Sequence, residues 1–201
     1  GIISHKEKLI IFKGPYKGSI HLLSGSSSSD FSVTPFISGI GAAWVNSIFR
    51  FGDDVGWYSP FGTVHSLNAT AAYGNYNQSY LSYPITQHIR DNVNAGQSRK
   101  WWAVNVPLRN YVLMTYANSG QTRNDHCLMM DYRWMTHPNA LGVQQGDLFP
   151  RWALWNAFSF ASLGLVIDTN NIPRLFAGGY DGVLYRTDVT ARSHKNASIP
   201  M

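Results

Sequence analysis

Hydrophobic residues fall in strand-length runs separated by clusters of Gly, Asn, Asp and Ser, and few segments repeat at helical spacing, which is the pattern of an all-β chain. The clearest predicted strands are residues 8–12, 19–23, 47–51, 55–59, 64–67, 111–116, 126–132, 157–167, 174–177 and 183–187. Between them, Gly52-Asp53-Asp54, Asn118-Ser119-Gly120, Asp168-Thr169-Asn170-Asn171 and Tyr180-Asp181-Gly182 supply residues that accept positive φ or close Asx turns. One short helix is predicted over residues 80–93, where Pro84 suits a first turn and Ile85, Ile89 and Val93 recur at fourfold spacing. Residues 24–29 and 94–98 read as low-complexity loops, and residues 137–150 as a longer polar connection.

The strands fall into four paired units. Residues 9–12 pair with 20–23, 55–58 with 64–67, 111–114 with 128–131, and 174–177 with 183–186. Successive units begin about 45 to 65 residues apart, near the length of a propeller blade with insertions. The expected fold is therefore a β-propeller-like array of about four antiparallel blades, with repeat units near 1–43, 44–98, 99–150 and 151–201. Such an array is either one domain or a fragment of a larger propeller, since propellers close with about four to eight blades. A β-sandwich with irregular loops is the plainer alternative.

Composition adds one strong constraint. Of 201 residues, 44% are hydrophobic and 14% aromatic, so a packed interior is assured and global disorder is excluded. Only 13% are charged, roughly half the share of about 25% usual in soluble domains. Either Ser and Asn keep the surface wet or partners cover much of it. Ten of the eleven acids are Asp, which favours turns over helix interiors. The net charge of +5 permits a nucleic-acid partner without requiring one. Lys6, Lys8, Lys13 and Lys17 are spaced by other residues, as on a solvated strand edge. Cys127 is the single cysteine, so no internal disulfide is expected, and no apolar stretch is long enough for a membrane span. Beginning at Gly1 without a signal pattern, the chain is expected to be a processed product or a segment of something longer.

Catalytic patterns come out poorly, and the chain is expected not to be an enzyme and to hold no cofactor or metal. Asp53 and Asp54 are adjacent in a turn, not opposed across a substrate as glycoside hydrolysis needs. Residues 26–31 approach a sialidase Asp box around Asp30 but lack its glycine pair and Trp. There is no nucleophile elbow, and His126 and Cys127, as strand neighbours, point to opposite faces. His126, Cys127 and His137 match no zinc spacing, and Gly178-Gly179-Tyr180-Asp181-Gly182 joins two strands instead of opening a helix. The sequons at Asn68, Asn77 and Asn196 are expected by chance in so Asn- and Ser-rich a chain. The seven Trp residues read as core packing in preference to sugar or base stacking.

A family resemblance follows from the order of motifs. The succession Lys8-Leu-Ile-Ile-Phe12, Ser19-Ile-His-Leu-Leu-Ser24-Gly25, Asp30-Phe31, Gly39-Ile-Gly41, Gly52-Asp53-Asp54-Val55 and Gly62-Thr-Val-His-Ser-Leu67 resembles a stretch of the propeller-bearing tail nozzle, hub or stabilisation proteins of tailed bacteriophages. Thr70, Tyr73-Gly74, Leu81-Ser82 and Ile85 continue it, and the segment from Arg174 through Gly178, Gly179, Asp181 and Gly182 to Asp188 is similar to the F-x-G-x-x-D-G-x-V-Y-x-x-D hairpin of those proteins. The resemblance implies a virion structural protein assembled in the host cytoplasm. Identical subunits in a ring, with other tail proteins, would line a conduit for genome delivery that passes double-stranded DNA without sequence-specific binding. It implies no catalytic residue, because Ser24, Gly25, Asp30, Phe31, Gly52, Asp53, Asp54, Gly62, Gly178, Gly179, Asp181 and Gly182 form a folding motif. The alternative expectation is a carbohydrate-binding or glycan-cleaving β-propeller; a free nucleic-acid-binding domain, suggested by the net charge, is the third.

Overall fold

The computed structural model describes residues 1–14, 17–73, 80–136, 149–156 and 159–187, and forms four separate antiparallel sheets. Strands β1 (Ile2–His5), β2 (Lys8–Lys13), β3 (Ser19–Ser24) and β4 (Ser32–Ser38) make the first, in chain order. The second contains β5 (Ile48–Phe51), β6 (Asp54–Tyr58) and β7 (Val64–Ser66). The third is β8 (Trp102–Val106), β9 (Tyr111–Tyr116), β10 (His126–Asp131) and β11 (Arg151–Asn156), and the fourth is β12 (Phe160–Ile167), β13 (Pro173–Gly179) and β14 (Leu184–Arg186). Among the described residues three short α-helices accompany them: α1 (Leu67–Tyr73), α2 (Thr86–Asn92) and α3 (Arg133–Thr136).

Alternation along the strands dictates how the sheets stack, because successive side chains leave a strand on opposite faces. In β6, Val55 and Trp57 join Ile10, Phe12 and Ile20 of the first sheet, while Tyr58 joins Trp101, Val112, Met114 and Tyr116 of the third. In β9 the same division recurs: Val112, Met114 and Tyr116 face the second sheet, and Leu113 meets Cys127, Leu163, Leu175 and Ala177 toward the fourth. Both strands are thus buried on two faces, which explains their nearly unbroken apolar sequence. Ring contacts mark the two inner seams, with Phe12 and Trp57 at 5.4 Å and Tyr58 and Trp101 at 4.5 Å between centroids.

The hydrophobic clusters join first to second, second to third and third to fourth sheet. Among the described residues none returns from the fourth to the first, so the sheets form an open row and close into neither barrel nor propeller. This overturns the expected propeller-like array of blades, and with it the fragment of a larger propeller. The physical reason lies at the two ends of the row. The outer strand β4 leaves Val33 and Phe36 exposed, and β12 leaves Val166 and Ile167 exposed, so the faces a ring would have to bury are open to solvent.

Helix content also differs from expectation, which allowed one helix. The predicted helix over 80–93 is a 3-10 turn at Tyr83–Ile85 followed by α2, with Ile89 buried and Ile85 and Val93 against the central core. Helix α1 begins where a strand was expected to end, because Asp54 reaches across from β6 to accept hydrogen bonds from the Asn68 N–H at 3.1 Å and the Ser66 hydroxyl. Ser66 Oγ in turn accepts from the Ala69 N–H at 3.0 Å. The predicted strand 157–167 is observed over Phe160–Ile167. Residues 157–158 and 137–148, with Asn77, His137, Asp188 and Asn196, lie outside the described residues.

The hairpin joining β1 and β2 carries unrelieved backbone strain. His5 pairs with Lys8, leaving Lys6 and Glu7 as a two-residue turn with φ of 45° and 62°. Left-handed backbone costs an L-residue about 1–2 kcal/mol, and glycine avoids that cost. Replacing Glu7→Gly is therefore expected to raise unfolding free energy by about 1 kcal/mol in urea titration, and a loss of stability would contradict the assignment.

Candidate interaction surfaces

The residues singled out by sequence fall in four turns, and the structure does not bring them together. Ser24 ends β3 opposite Ser32, and Gly25, with φ of 123°, turns where a Cβ would lie 2.7 Å from the Asp30 carbonyl oxygen. Asp30 then closes the loop on itself. Its carboxylate accepts the Ser27 N–H at 2.6 Å, the Ser26 N–H at 3.1 Å and both serine hydroxyls, which hold its pKa down at about 2. Phe31 beside it is exposed.

Gly52 and Asp53 form the β5–β6 turn. Asp53 meets Lys6 Nζ at 3.2 Å in solvent, and its carbonyl accepts the Asn68 side-chain amide at 3.1 Å. Asp54 is committed to the start of α1; burial raises its pKa against the hydrogen bonds from Ser66, Asn68 and Val55. Gly62 lets the β6–β7 turn approach α2, where a Cβ would lie 2.7 Å from Ile89 Cγ2. Gly178 and Gly179 end β13, and Asp181 and Gly182 make the turn into β14, with Asp181 accepting from the Val183 N–H and the Tyr185 hydroxyl. Each of the four turns is shaped by its own hydrogen bonds or close glycine contacts.

Nucleophiles and bases are placed no more favourably. Cys127 is fully buried among Leu113, Leu163 and Ala177, and burial pushes its thiol pKa far up. His126 faces the other side of β10, 5.6 Å from the Tyr116 ring and with Nδ1 3.0 Å from Asp125 Oδ1. Among the described residues no group of three or more His, Cys, Asp or Glu is arranged to hold a metal ion.

Two polar networks emerge from the fold, one across the β6–β7 turn and one between α2 and β9. Ser59 Oγ lies 2.7 Å from Thr63 Oγ1, which lies 2.8 Å from His65 Nε2; the imidazole stacks on Trp57 at 5.4 Å and 15°. Ser59 and His65 are buried and Thr63 is half-buried, so this hydroxyl–imidazole chain braces the inner sheet from within. In the second network His88 Nε2 bonds the hydroxyl of buried Tyr116 at 3.0 Å. Burial, with the nearby His126, lowers the His88 pKa.

The surface feature that stands out is the edge of the fourth sheet. A free edge invites pairing with another chain unless Pro, charge, a bulge or brevity blunts it. Strand β4 carries Pro35 and faces a register shift at Ile20/His21, β1 is capped by Arg50, whose guanidinium donates to the Ser4 carbonyl and hydroxyl, and β14 has only three residues. By contrast β12 reads Phe-Ala-Ser-Leu-Gly-Leu-Val-Ile, without charge or proline; its pairing with β13 shifts register between Phe160 and Ser162 and is regular from there to Ile167. Val166 is 53% and Ile167 65% exposed, and a Cβ at Gly164 would meet nothing within 4 Å.

Compared with known proteins, the chain matches no family model and no curated relative. With no homology behind the phage-tail resemblance and no closed ring, the expected tail nozzle or hub is overturned. The alternative of a carbohydrate-binding or glycan-cleaving propeller falls with the same ring.

Two titrations check these assignments. Carboxyl NMR of Asp30 is expected to give a midpoint of about 2, so the stability this turn contributes is present above the ordinary pKa of 3.8 and is lost as pH falls through about 2. A midpoint at the ordinary value would refute the closed turn. Burial holds His65 neutral, with its pKa lowered from 6.5 to about 3, so below pH 6.5 the unfolded chain takes up a proton that the native state refuses. Stability is expected to fall as pH drops from 6.5 toward 3, and to fall less steeply in His65→Gln, as read from urea midpoints across that range; equal slopes would place His65 in solvent.

Proposed function

We propose that the chain is a non-catalytic assembly module that associates with a second copy of itself through the open edge of β12. The observation that carries this reading is the contrast between the proline-bearing β4 edge and the β12 edge, which shifts register near Phe160 but is regular and uncharged beyond Ser162 and exposed at Val166 and Ile167. Antiparallel pairing of β12 with its symmetry mate makes a self-complementary two-fold contact. Each backbone hydrogen bond gained contributes about 0.5–1.5 kcal/mol net, and covering Val166 and Ile167 on both copies adds hydrophobic burial. That combination supports roughly micromolar association, once the cost of immobilising two molecules is met.

The shortage of charge supports the same reading. A chain with 13% charged residues has few groups to spare for repelling neighbours, and many of its acids are spent inside turns. The buried cysteine and the sequestered His65 support a role without catalysis. Sedimentation of the wild type over a concentration series is expected to show mass rising from 22.5 kDa toward twice that value in the micromolar range. Val166→Lys and Ile167→Lys place a charge on the edge and are expected to remain monomeric with unchanged circular dichroism. A wild type that stays monomeric to about 100 μM, or a dimer indifferent to both substitutions, would overturn the proposal.

A further inference from the structure

Between Asp91 and Asp125 the chain has no acidic residue and four basic ones, Arg99, Lys100, Arg109 and Arg123. Three of these converge where the 3-10 turn Ala95–Lys100 lies against the β9–β10 loop. The loop is fastened there by the Asn94 side-chain amide donating to the Gln121 carbonyl at 2.8 Å, Lys100 Nζ donating to the Thr122 carbonyl at 2.7 Å, and buried Asn124 donating to the Lys100 carbonyl at 2.6 Å. Arg99, Lys100 and Arg123 are exposed, and none forms an ion pair with a described carboxylate. The neighbouring Asp125 accepts the Asn118 N–H at 2.8 Å and lies 3.0 Å from His126 Nδ1.

Each arginine also has an aromatic support. The Arg99 guanidinium carbon lies 5.8 Å from the centroid of the half-exposed Trp44 ring, and that of Arg123 lies 5.1 Å from Tyr180. Tyr180 is itself pinned, its hydroxyl accepting the Asn124 N–H at 2.8 Å. Contacts and chain adjacency link Trp44, Arg99, Lys100, Arg123 and Tyr180 into a contiguous cationic ribbon that begins and ends on an aromatic ring. A guanidinium held on a ring keeps its N–H groups for phosphate oxygens and offers a planar surface on which a base can stack.

We infer that this ribbon binds single-stranded nucleic acid. Contiguous cations match a phosphate backbone, and exposed ring and guanidinium planes match unpaired bases, which a duplex keeps stacked inside. The inference is independent of β12, which lies outside the ribbon, so loss of one activity leaves the other measurable.

The test is fluorescence anisotropy on the full chain with a labelled oligothymidine of about 20 nucleotides, a duplex of the same length, and salt from about 50 to about 200 mM. The single strand is expected to bind at least about tenfold more tightly than the duplex, with log affinity falling against log salt with a slope of about −2 for three phosphate contacts. Arg99→Gln with Arg123→Gln is expected to weaken binding at least about tenfold and to flatten that slope. Trp44→Ala is expected to cost about fivefold or more at every salt while leaving the slope nearly unchanged, which a purely electrostatic patch would not show. Arg99→Glu with Arg123→Glu, which leaves the buried Asn124 anchor in place, serves as the second variant, with thermal unfolding as the fold control. Equal binding of duplex, heparin or anionic phosphatidylserine vesicles with Trp44→Ala silent would overturn the inference, as would no binding at the lowest salt.

Discussion

Everything in this molecule depends on the two-sided burial of β6 and β9. A three- or four-stranded sheet of this size cannot shelter both faces by itself, so each inner sheet requires a neighbour on either side. Trp57 and Tyr58, adjacent in sequence, leave β6 in opposite directions and enter different hydrophobic clusters; Leu113 and Met114 do the same in β9. The three clusters are therefore coupled through single strands.

A row has ends, and its ends leave apolar side chains in solvent, Val33 and Phe36 on β4 and Val166 and Ile167 on β12. The inner sheets spend the aromatic residues, and the turns spend the aspartates, which leaves little charge for the outer faces. Charge that does remain is unevenly placed. The acid-free segment between Asp91 and Asp125 leaves Arg99, Lys100 and Arg123 uncompensated beside two exposed rings, while β12 carries no charge at all. Two surfaces of opposite character, one cationic and aromatic, the other apolar and edge-like, follow from one compositional economy.

Strand pairing was legible in the sequence because alternation and turn chemistry are local. Ile10 opposite Leu22, Trp57 opposite His65, Leu113 opposite Met129 and Ala177 opposite Tyr185 all lie within predicted hairpins. Strand β4 was hidden by its exposure, since Ser32–Ser38 buries almost nothing and shows no inward face. Helix α1 was hidden because its cap, Asp54, comes from another element. The propeller expectation went wrong at the step from hairpins to closure, which depends on whether the outer faces of the end sheets match; repeat spacing carries no information about that. The interaction surfaces were less legible still. Arg99 and Arg123 are separated by a whole hairpin in sequence and meet through Asn124 and Lys100, and no composition count distinguishes the blunted edge of β4 from the open edge of β12.

Amide hydrogen exchange at two protein concentrations tests most directly whether the row is open and joins a second copy at one end. Amides of β6 and β9 should be the slowest at both concentrations, and those of residues 163–167 in β12 should slow markedly on concentration while those of β4 do not change. Exchange in β12 that is already as slow as in β6 when dilute, or that is indifferent to concentration, would contradict the account.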